Sequence, residues 1–552
     1  MFSVPKARVF GVLATLAHAA FLTAQPEPSS HQPASHLDQP ILFNVRDYGA
    51  RGDGKTLDTH PIQNALRACA DAGGGTLLFP PGIYVSGTLE VFSNTTLDLA
   101  PGAILQGSTD IRDYRLGSDF GLGRNYGVDS SGEGTLAGLL LAHNVENVSI
   151  IGRGTIDGRG DEFMDFSSAH VSADFDAQYT RQREAFRTAS ASLEYGPVEP
   201  KAHGAGRPGT LILFFHANNV LVRDVTIQNA PNWTLHLQSV KRATIQGIHI
   251  LNNLLIPNND GVDCMECRNV HISDCDIQAG DDDFAIVGSE DIQVSNCSLV
   301  SRSAAIRLES TQRAVFQALT IQSNRGIGIF HRAGRRTDSV LFSDIAMRTT
   351  LIPGHWWGKA EPFYIAVSPC GHNSCEAVMN VRFSNIEVDA EGGAVLVGDR
   401  ANPIKGLVFD NVRIRMRSPD PKIAGEVGGN FDLRWTATSM ENAIFKHDIP
   451  ATYCRWVQDL TLRNFDVNWS SGLPGYFSGS VGCEDFQGVR IEGLREIRTA
   501  GSNSPAVTMR RGSGLNLSNS TSLPETQNLL FLESVTGVHA SGVIEHPVKT
   551  QR

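Results

Sequence analysis

Two acidic motifs contain the residue types best suited to catalysis: NNDGVD at positions 258–263 and GDDD at positions 280–283. Asp260 and Asp282 lie 22 positions apart, and Asp281 lies next to Asp282. If one structural repeat separates the motifs, these residues stack about 4.8 Å apart. Repulsion between such carboxylates raises one pKa and leaves a protonated acid beside ionised bases. An acid paired with a base in this way is what hydrolysis of a glycosidic bond requires.

A different interpretation is that these aspartates are solvated turn residues, or that they bind a structural Ca²⁺ ion. The two motifs are separated by one repeat length, and this favours catalysis over both alternatives. We therefore predict a site that contains neither a metal ion nor another cofactor.

The residues around the motifs belong to a repeated phrase that begins near residue 145. Each phrase has a turn residue, three alternating positions, a small or polar pair and a second short apolar strand. Its first apolar residue falls at positions 220, 243, 270, 292, 314 and 340. Periods of 20–50 residues indicate a solenoid, and short strands that stack their apolar residues indicate an all-β parallel β-helix. The spacing does not match a leucine-rich repeat, and the steps are shorter than a propeller blade.

Three longer steps interrupt the repeat, at 148–220, 340–381 and 407–460. Insertions in a solenoid form loops on one side, which is often the binding side. A short helix over 59–72, with a proline near its start, is predicted to cap the N-terminal end and to cover its open strand edges. Cys275 and Cys297 occupy equivalent positions of the phrase, so we expect them to stack inside the core.

Most of the chain, from about 42 to 500, resembles glycoside hydrolase family 28, the polygalacturonase family of right-handed parallel β-helices. The similarity lies in NVRDYGARGDGKTLDT at 44–59, GTLLFPPGIYVSGTL at 75–89, NVSIIGRGTIDGRG at 147–160 and the two acidic motifs. The resemblance implies a right-handed, single-stranded parallel β-helix. It also implies that Asp281 is the general acid, that Asp260 and Asp282 position and deprotonate the water, and that the anomeric configuration is inverted.

The chain departs from the family's pattern where the substrate is held. The family's Gly-His-Gly should fall at 303–305, where the sequence is SAA, and its Arg-Ile-Lys should fall at 328–330, where the sequence is GIF. Asp283 stands where many members have Cys. Because the usual clamp for a uronate carboxylate is absent, we expect a pectic linkage other than that of homogalacturonan, and insertions that block one cleft end would favour exo action.

Other side chains could form a different set of sugar contacts. Glu309 and His331 lie 22 positions apart and could stack, although they could equally form a structural ion pair. Paired tryptophans in the insertion at 353–362 could form a subsite wall, or could pin the loop to the solenoid. Trp233 is interpreted as a packing residue. The predicted substrate-binding residues are Asp283, Arg307, Glu309, His331, Arg332, His355, Trp356, Trp357 and Lys359.

The N-terminal sequence and the composition indicate where the protein is located and which partners it binds. Lys6 and Arg8 precede a short apolar run, which predicts a signal peptide over 1–24, followed by a linker over 25–40 and a solenoid domain over 41–545. We expect a secreted or periplasmic protein. With 552 residues and a net charge of −11, the chain has no basic block, which argues against nucleic acid and membranes as partners. We expect a monomer that binds a pectic polysaccharide or oligosaccharide.

Export permits disulfides, for which Cys370 with Cys375 is the best candidate and Cys454 with Cys483 a weaker one. The C-x-x-C at 264–267 has no second pair to complete a zinc site.

Two other functions remain open at this stage. A β-helix polysaccharide lyase would use a cation to neutralise the uronate and a basic residue to take the proton. Arg307 or Arg332 could serve, and the acidic cluster could hold Ca²⁺. A glycan-binding β-helix without catalysis would explain the missing family histidine. The retained triad of carboxylates argues against the second alternative.

Overall fold

The computed structural model describes residues 41–120, 136–169, 197–201, 206–331, 335–353, 356–368, 378–433, 444–446, 448–498, 504–523, 529–542 and 549–551. The predicted signal peptide and linker lie outside these residues, as do Arg332, His355, Cys370 and Cys375.

Forty strands form one parallel sheet that winds into a β-helix, so the predicted all-β solenoid is confirmed. The described residues also contain two α-helices, Thr59–Asp71 and Pro421–Val427. Four short 3-10 helices are Val45–Tyr48, Ile111–Asp113, Gly117–Phe120 and Gly160–Phe163. Two small antiparallel ribbons pair Met164–Ala169 with Val198–Pro200, and Asn430–Asp432 with Ile444–Lys446. No helix within the described residues is long and apolar enough to cross a membrane.

One face of the solenoid carries the candidate site, and we call its strands the site sheet. In chain order they are Leu89–Val91, Leu140–His143, Ile212–Phe215, Leu235–Gln238, Val262–Met265, Phe284–Val287, Ala304–Glu309, Arg325–His331, Phe363–Val367, Ala394–Val397, Thr452–Arg455 and Val481–Glu484.

Two further faces complete each coil. One contains Leu42–Asn44, Gly75–Phe79, Thr95–Leu99, Glu146–Gly152, Asn218–Arg223, Lys241–Gln246, Arg268–Ser273 and Glu290–Ser295. The other contains Asp53–Leu57, Gly82–Ser86, Ala103–Gly107, Thr155–Asp157, Thr226–Gln228, His249–Leu251, Asp276–Ala279 and Ser298–Ser301. In later coils, long strands run across both faces: Gln312–Ser323, Thr337–Thr349, Val378–Ala390, Val408–Met416 and Val457–Trp469. The remaining strands are Ile404–Lys405, Gln487–Glu492, Arg495–Arg498, Val507–Ser518, Thr521–Leu523, Leu530–Ser541 and Lys549–Gln551.

The register of the coils is the one that the repeated phrase predicts. Residues 220, 243, 270, 292, 314 and 340 are consecutive partners in adjacent strands. The residue before each of them, such as Asn219 (φ 61°) or Asn269 (φ 56°), adopts a left-handed conformation. Asn tolerates this conformation better than most residues, because its short side chain can bond locally. A left-handed corner therefore recurs where each coil turns.

The interior is filled by apolar residues that stack on their equivalents one coil away. Phe316, Phe342, Phe383 and Phe409 form a column with centroid separations of 4.9, 5.0 and 4.6 Å. Such separations match the spacing of neighbouring strands, so each ring packs on the next without disturbing the ladder. Aromatic pairs of this kind contribute about 0.5–1.5 kcal/mol each beyond the burial of their area.

The helix Thr59–Asp71 follows the predicted range and buries Ile62, Ala65 and Leu66 against the apolar core. Its Cys69 is also buried, with the thiol 3.8 Å from Thr95 Oγ1.

The cysteines within the described residues lie in the interior. Cys275 and Cys297 are both buried in the core, as predicted from their spacing. Cys454 and Cys483 are register partners on adjacent strands, and their thiols are free. Cys267 is also a free thiol, and it donates hydrogen bonds to the backbone carbonyls of Leu237 and Met265.

Candidate active site

The amide of Asn259 ties the two acidic motifs together. Asn259 is buried at the turn before the strand Val262–Met265. Its Oδ1 accepts a 2.6 Å hydrogen bond from the Gly280 backbone N–H, and its Nδ2 donates to the Asn253 carbonyl at 2.8 Å. One side chain thus fixes the second motif relative to the first.

Glycine is required at two positions beside the aspartates, because there is no room for a Cβ atom. A Cβ at Gly261 would lie 2.5 Å from the Asp283 carbonyl oxygen, and a Cβ at Gly280 would lie 2.3 Å from the Ile256 carbonyl oxygen. The close approach lets the Gly261 N–H donate a 2.8 Å hydrogen bond to the Asp282 carbonyl in the next coil. The glycines of both motifs therefore position the carboxylates through the backbone.

The three predicted carboxylates meet in one place. Asp260, Asp281 and Asp282 each present an oxygen atom, and these atoms all lie within 4.8 Å of one another. All three residues are buried, with exposed fractions of 4%, 6% and 5%. Oxygen atoms at this spacing could also hold a divalent cation.

The hydrogen bonds of the three side chains differ. Asp281 Oδ2 accepts from the backbone N–H and the side-chain Nδ2 of Asn258, at 3.3 and 3.4 Å. Asp282 Oδ1 accepts from Ser303 Oγ at 3.3 Å. Asp260 Oδ1 is buried and accepts no hydrogen bond from the described residues. An unmet acceptor of this kind can take a proton or a water molecule from the cavity.

Burial raises the pKa of all three carboxyl groups and is the largest cause for each of them. It raises the pKa of Asp282 to about 7, with the negative charge of Asp281 as the second cause. The pKa of Asp260 is raised well above its usual range, with repulsion from Asp263 as the second cause. The pKa of Asp281 is raised as well. Like-charge repulsion was the expected cause, but removal from water is the larger one.

Arg307 lies beside the carboxylates on the strand Ala304–Glu309. Its Nη1 is 3.8 Å from Asp282 Oδ2, and its Nη2 is 3.5 Å from Glu309 Oε2. The guanidinium carbon also lies 5.8 Å from the centre of the Phe330 ring. Its positive charge is therefore shared between two acidic partners.

A cavity of about 210 Å³ opens over the carboxylates. Its lining combines acids and amides with apolar rings, which suits a sugar, because a sugar has polar hydroxyl groups and apolar C–H faces. The lining residues are Trp233, Asn258, Asp260, Asp281, Asp282, Ser303, Ala304, Arg307, Arg325, Phe330 and Trp357.

Arg325 forms a fully buried part of the cavity wall. Its Nη2 lies 3.3 Å from Glu361 Oε1 and 3.1 Å from Asp432 Oδ2. Its guanidinium carbon stacks 3.7 Å from the centre of the Tyr364 ring. Glu361 and Asp432 belong to two different insertions, so one arginine ties both insertions to the site.

The insertion at 353–362 has two different roles in the structure. Trp357 lines the cavity, as predicted for a subsite wall. Trp356 is 1% exposed and Lys359 is 5% exposed, and neither belongs to the cavity lining. Neither residue therefore has an observed position in this cavity, and their contacts with a sugar stay predictions.

Two other predicted contacts are also kept from the cavity. Asp283 is fully buried and is not part of the lining, because alternation along the strand directs it away from the face that Asp282 occupies. His331 is fully buried too. The register partner of Glu309 is Phe330 rather than His331, because Ala304 pairs with the residue 21 positions later, not 22. The predicted stacking of Glu309 on His331 is therefore wrong.

Sequence reasoning missed several residues that line the cavity: Trp233, which was interpreted as packing, together with Asn258, Ser303, Arg325 and Phe330. Asn258 and Trp233 each lie at or before the start of a site-sheet strand, as Asp260 does, and that shared position was an available signal. The sequence repeat could not predict that Arg325 lines the cavity. The step from Ala304 to its register partner Arg325 is 21 positions rather than 22.

Two known protein families match parts of this chain. Residues 199–301, which include both acidic motifs, match the family described as glycosyl hydrolases family 28. Residues 42–180 match a family described as rhamnogalacturonase A/epimerase, pectate lyase-like. These matches confirm the resemblance that the motifs indicated.

Individual relatives extend the similarity over more of the chain. A protein of Vitis vinifera named "Probable polygalacturonase" is 25% identical over 428 residues, which are 72% of this chain and 76% of that protein. An exo-poly-alpha-D-galacturonosidase of Dickeya chrysanthemi is 28% identical over 275 residues, which are 46% of this chain and 43% of that protein. The solved family 28 exopolygalacturonase of Yersinia enterocolitica shares the fold, with a TM-score of 0.53 at 19% identity, over 87% of this chain and 78% of that one.

Proposed function

We propose that this glycoside hydrolase, which is related to family 28, cleaves O-glycosidic bonds in plant cell-wall pectic polysaccharides or their oligosaccharides. The observation that carries the proposal is the meeting of Asp260, Asp281 and Asp282 within 4.8 Å in a cavity lined by tryptophans. The names of the curated relatives, which are polygalacturonases, support pectic material as the substrate.

The proposed chemistry needs a protonated carboxyl group and a basic one. In the family pattern, Asp281 protonates the leaving oxygen while Asp260 and Asp282 hold a water molecule and remove its proton. Two oxygen atoms less than 4.8 Å apart can both bond one water at ordinary hydrogen-bond lengths. The raised pKa values keep protons among the three carboxyl groups near neutral pH, as the acid step requires. The assignment of Asp281 as the acid rests on the resemblance to the family.

We propose inversion at the anomeric carbon from the resemblance to the family. Inverting enzymes usually have carboxyl groups about 6.5–9.5 Å apart, with water between them, and the oxygens here approach more closely. The stereochemistry of the first product, followed by proton NMR, tests inversion directly.

We further propose exo action, because the site is a pocket rather than an open groove. On one side of it, the site-sheet strands at 140–143 and 212–215 are covered, and Leu141 and Leu213 are buried. On the other side, all residues of Phe363–Val367 and Ala394–Val397 are buried. A long glycan could not lie along the sheet in either direction, whereas a chain end could enter.

The proposal also covers the handedness of the coil, the cap at its N-terminal end and the cellular location of the protein. We propose a right-handed coil, because crossovers between parallel strands are almost always right-handed. The helix Thr59–Asp71 would close the N-terminal end, since its apolar side is buried on the core. We propose an exported monomer with a solenoid domain over 41–545, on the strength of the N-terminal pattern of charged and apolar residues.

A screen of pectic fractions tests the function, with reducing sugar, viscosity and ultraviolet absorbance as readouts. We expect reducing sugar to be released without a rapid fall in viscosity and without absorbance of unsaturated products. Unsaturated uronides would identify a lyase, and binding without turnover on every fraction would identify a glycan-binding protein. Both cavity arginines already contact carboxylates, and this favours hydrolysis over a lyase reaction.

A further inference from the structure

We infer that a second cavity, on the same face of the solenoid as the candidate active site, binds a glycan chain without cleaving it. We call it the distal cavity, and it lies over the strands Thr452–Arg455, Val481–Glu484 and Val507–Ser518. The inference goes beyond the proposed hydrolysis. Only the choice of pectic material as the glycan rests on that proposal.

The distal cavity is large enough for a ligand and is open to solvent. Its volume is about 530 Å³, compared with about 210 Å³ for the cavity over the carboxylates. Pockets that bind small molecules usually measure about 300–1,000 Å³. Gly482, Thr508 and Arg510 line the distal cavity and are half-buried, and Asp448 lines it and is exposed. A dissolved glycan can therefore reach these residues.

The centre of the distal cavity is a column of outward-facing residues. Tyr453, Gly482 and Thr508 are register partners in three consecutive coils. The next residue of each strand is an apolar one that belongs to the core, as Cys483 and Met509 show. Because side chains alternate along a strand, the column at Gly482 presents its side chains to the ligand side of the sheet.

The distal cavity is separate from the candidate active site. Six register steps lead from Ala285, in the strand that follows Asp282, to Gly482. At about 4.8 Å for each step, the two places are about 29 Å apart along the solenoid. All residues of the intervening strands Phe363–Val367 and Ala394–Val397 are buried. Within the described chain, the two cavities have no lining residue in common.

The lining of the distal cavity has the groups that sugars need. Hydroxyl groups donate and accept hydrogen bonds, as sugar hydroxyls do, and apolar rings pack against sugar C–H faces. The hydroxyl side chains of the lining are Tyr453, Ser478, Ser504 and Thr508, and its proline rings are Pro450 and Pro505. This combination indicates a carbohydrate rather than a purely apolar ligand.

The charged side chains of the lining already form ion pairs. Arg510 Nε lies 2.9 Å from Glu533 Oε2, and Glu484 Oε2 lies 2.5 Å from Arg511 Nη2. A paired guanidinium or carboxylate still has atoms that can bond a hydroxyl group. Recognition of the glycan therefore does not depend on a charge on the sugar.

Gly482 makes the room in the middle of the distal cavity. A Cβ atom at this position would lie 3.4 Å from Pro450 Cγ, which is an ordinary van der Waals contact. The backbone of Gly482 does not have the positive φ that restricts substitution. A larger side chain is therefore compatible with the strand, and it would fill the space that a sugar ring needs.

A glycan that binds at both places gains from the connection between them. Binding at the distal cavity raises the effective concentration of the rest of the chain near the candidate active site. A polysaccharide benefits from this effect, whereas a trisaccharide is too short to span the separation. The distal cavity therefore favours long substrates over short ones.

Binding tests the inference in a protein that does not consume its ligand. Calorimetry would measure the Kd of Asp281→Asn for homogalacturonan, rhamnogalacturonan, galactan and arabinan. For the fraction that binds most tightly, adding Gly482→Leu should raise Kd at least fivefold, which corresponds to about 1 kcal/mol. An unchanged Kd, or no binding of any fraction, would overturn the inference.

Gly475→Leu is the matched control for the added volume. Gly475 is an exposed glycine without a positive φ, and it lines neither cavity. A Cβ atom there meets no described atom within 4 Å. Its Kd should stay unchanged, and a loss equal to that of Gly482→Leu would overturn the inference.

Thr508→Val keeps the test valid if Gly482→Leu melts at a lower temperature than the native protein. This substitution retains the shape of the side chain and removes a hydroxyl group from the lining. We expect Kd for the same polysaccharide to rise at least twofold. A Kd equal to that of the unsubstituted protein would overturn the inference.

Kinetics separate the inference from the proposed function. With Asp281 intact, Gly482→Leu should raise KM for the polysaccharide about threefold and leave kcat/KM for a trisaccharide unchanged. Turnover with equal KM values would overturn the distal cavity and leave hydrolysis intact. Weaker binding by Gly482→Leu, in a protein that cleaves none of the fractions, would retain the distal cavity and overturn hydrolysis.

Discussion

Arg325 and Asp432 are 107 positions apart in the chain, yet their side chains form a buried ion pair of 3.1 Å. Together with Glu361, this pair ties two insertions to the wall of the candidate site. The walls of the pocket therefore depend on a contact between distant parts of the chain, whereas its carboxylates come from neighbouring coils.

Replacement of Arg325 by Met should destabilise the protein strongly. It leaves Glu361 and Asp432 buried without their cation, and the loss of one partner of a buried pair costs about 3–5 kcal/mol. Denaturant unfolding measures this change. The control is Arg413→Met, whose exposed pairs with acidic residues should contribute less than about 1 kcal/mol. Equal effects of the two variants would contradict a structural role for the buried pair.

Asp281→Asn should lower kcat at least 100-fold on whichever glycan is cleaved. A positioned general acid contributes about 10²–10⁴-fold, and the amide cannot donate its proton in this way. Asp276→Asn is the matched control, because this aspartate is 61% exposed on a different face. Both proteins should melt no lower than the native one, and full activity of Asp281→Asn would exclude it as the acid.

The rising limb of the pH profile of kcat/KM should have an apparent pKa near 7, well above the 3.8 of a free aspartate. The pair of Asp260 and Asp282 must lose a proton to act as the base, and burial raises the pKa of Asp282 to about 7. Arg307→Met should move the limb to higher pH, because the positive charge of Arg307 lowers the pKa of both Asp260 and Asp282. A limb below pH 5 in the native enzyme would show that solvent reaches the carboxylates more freely. The apparent value belongs to the coupled group rather than to one residue.

Asp283→Asn should stabilise the protein increasingly as the pH rises from 4.5 to 8. Burial raises the pKa of Asp283 well above its usual range, so the folded state keeps a proton that the unfolded state loses above about pH 4. Between those two pKa values, native stability falls by about 1.4 kcal/mol per pH unit from this group, and Asn removes the effect. Melting temperatures of both proteins at several pH values would reveal a widening gap, and a constant gap would refute the cause.

Chelation by EDTA should leave the activity unchanged, and millimolar Ca²⁺ should inhibit it. The three carboxylate oxygens lie close enough to bind a divalent cation, but the proposed hydrolysis needs them for protons and water. Activity that EDTA abolishes and Ca²⁺ restores would replace direct acid/base hydrolysis with a metal-dependent reaction. Titration of the native protein and of Asp260→Asn with Ca²⁺ would locate the ion.

The stacking of the coils could be predicted from the sequence, because each coil repeats the same alternation of inward apolar and outward polar residues. Val220 and Val340, for example, lie in one column of register partners, as their positions in the repeated phrase require. The meeting of Asp260 with Asp282 follows from the same repeat.

Features outside the repeat could not be predicted. The stacking of Glu309 on His331 was wrong, because one coil is a residue shorter and every later position shifts with it. The burial of Trp356 and Lys359 depends on how an insertion folds back, and no periodic pattern specifies that. Asp283 could have been placed correctly, since alternation along a strand separates it from its neighbour Asp282.

The carboxylates come from two adjacent coils, whereas part of the cavity wall comes from distant insertions. This separation has a consequence for evolutionary change. Substitutions in the insertions that carry Glu361 and Asp432 can alter which molecules are admitted while the proton-transferring residues stay untouched. Relatives with the same acidic motifs can therefore come to act on different substrates while they keep the same catalytic residues.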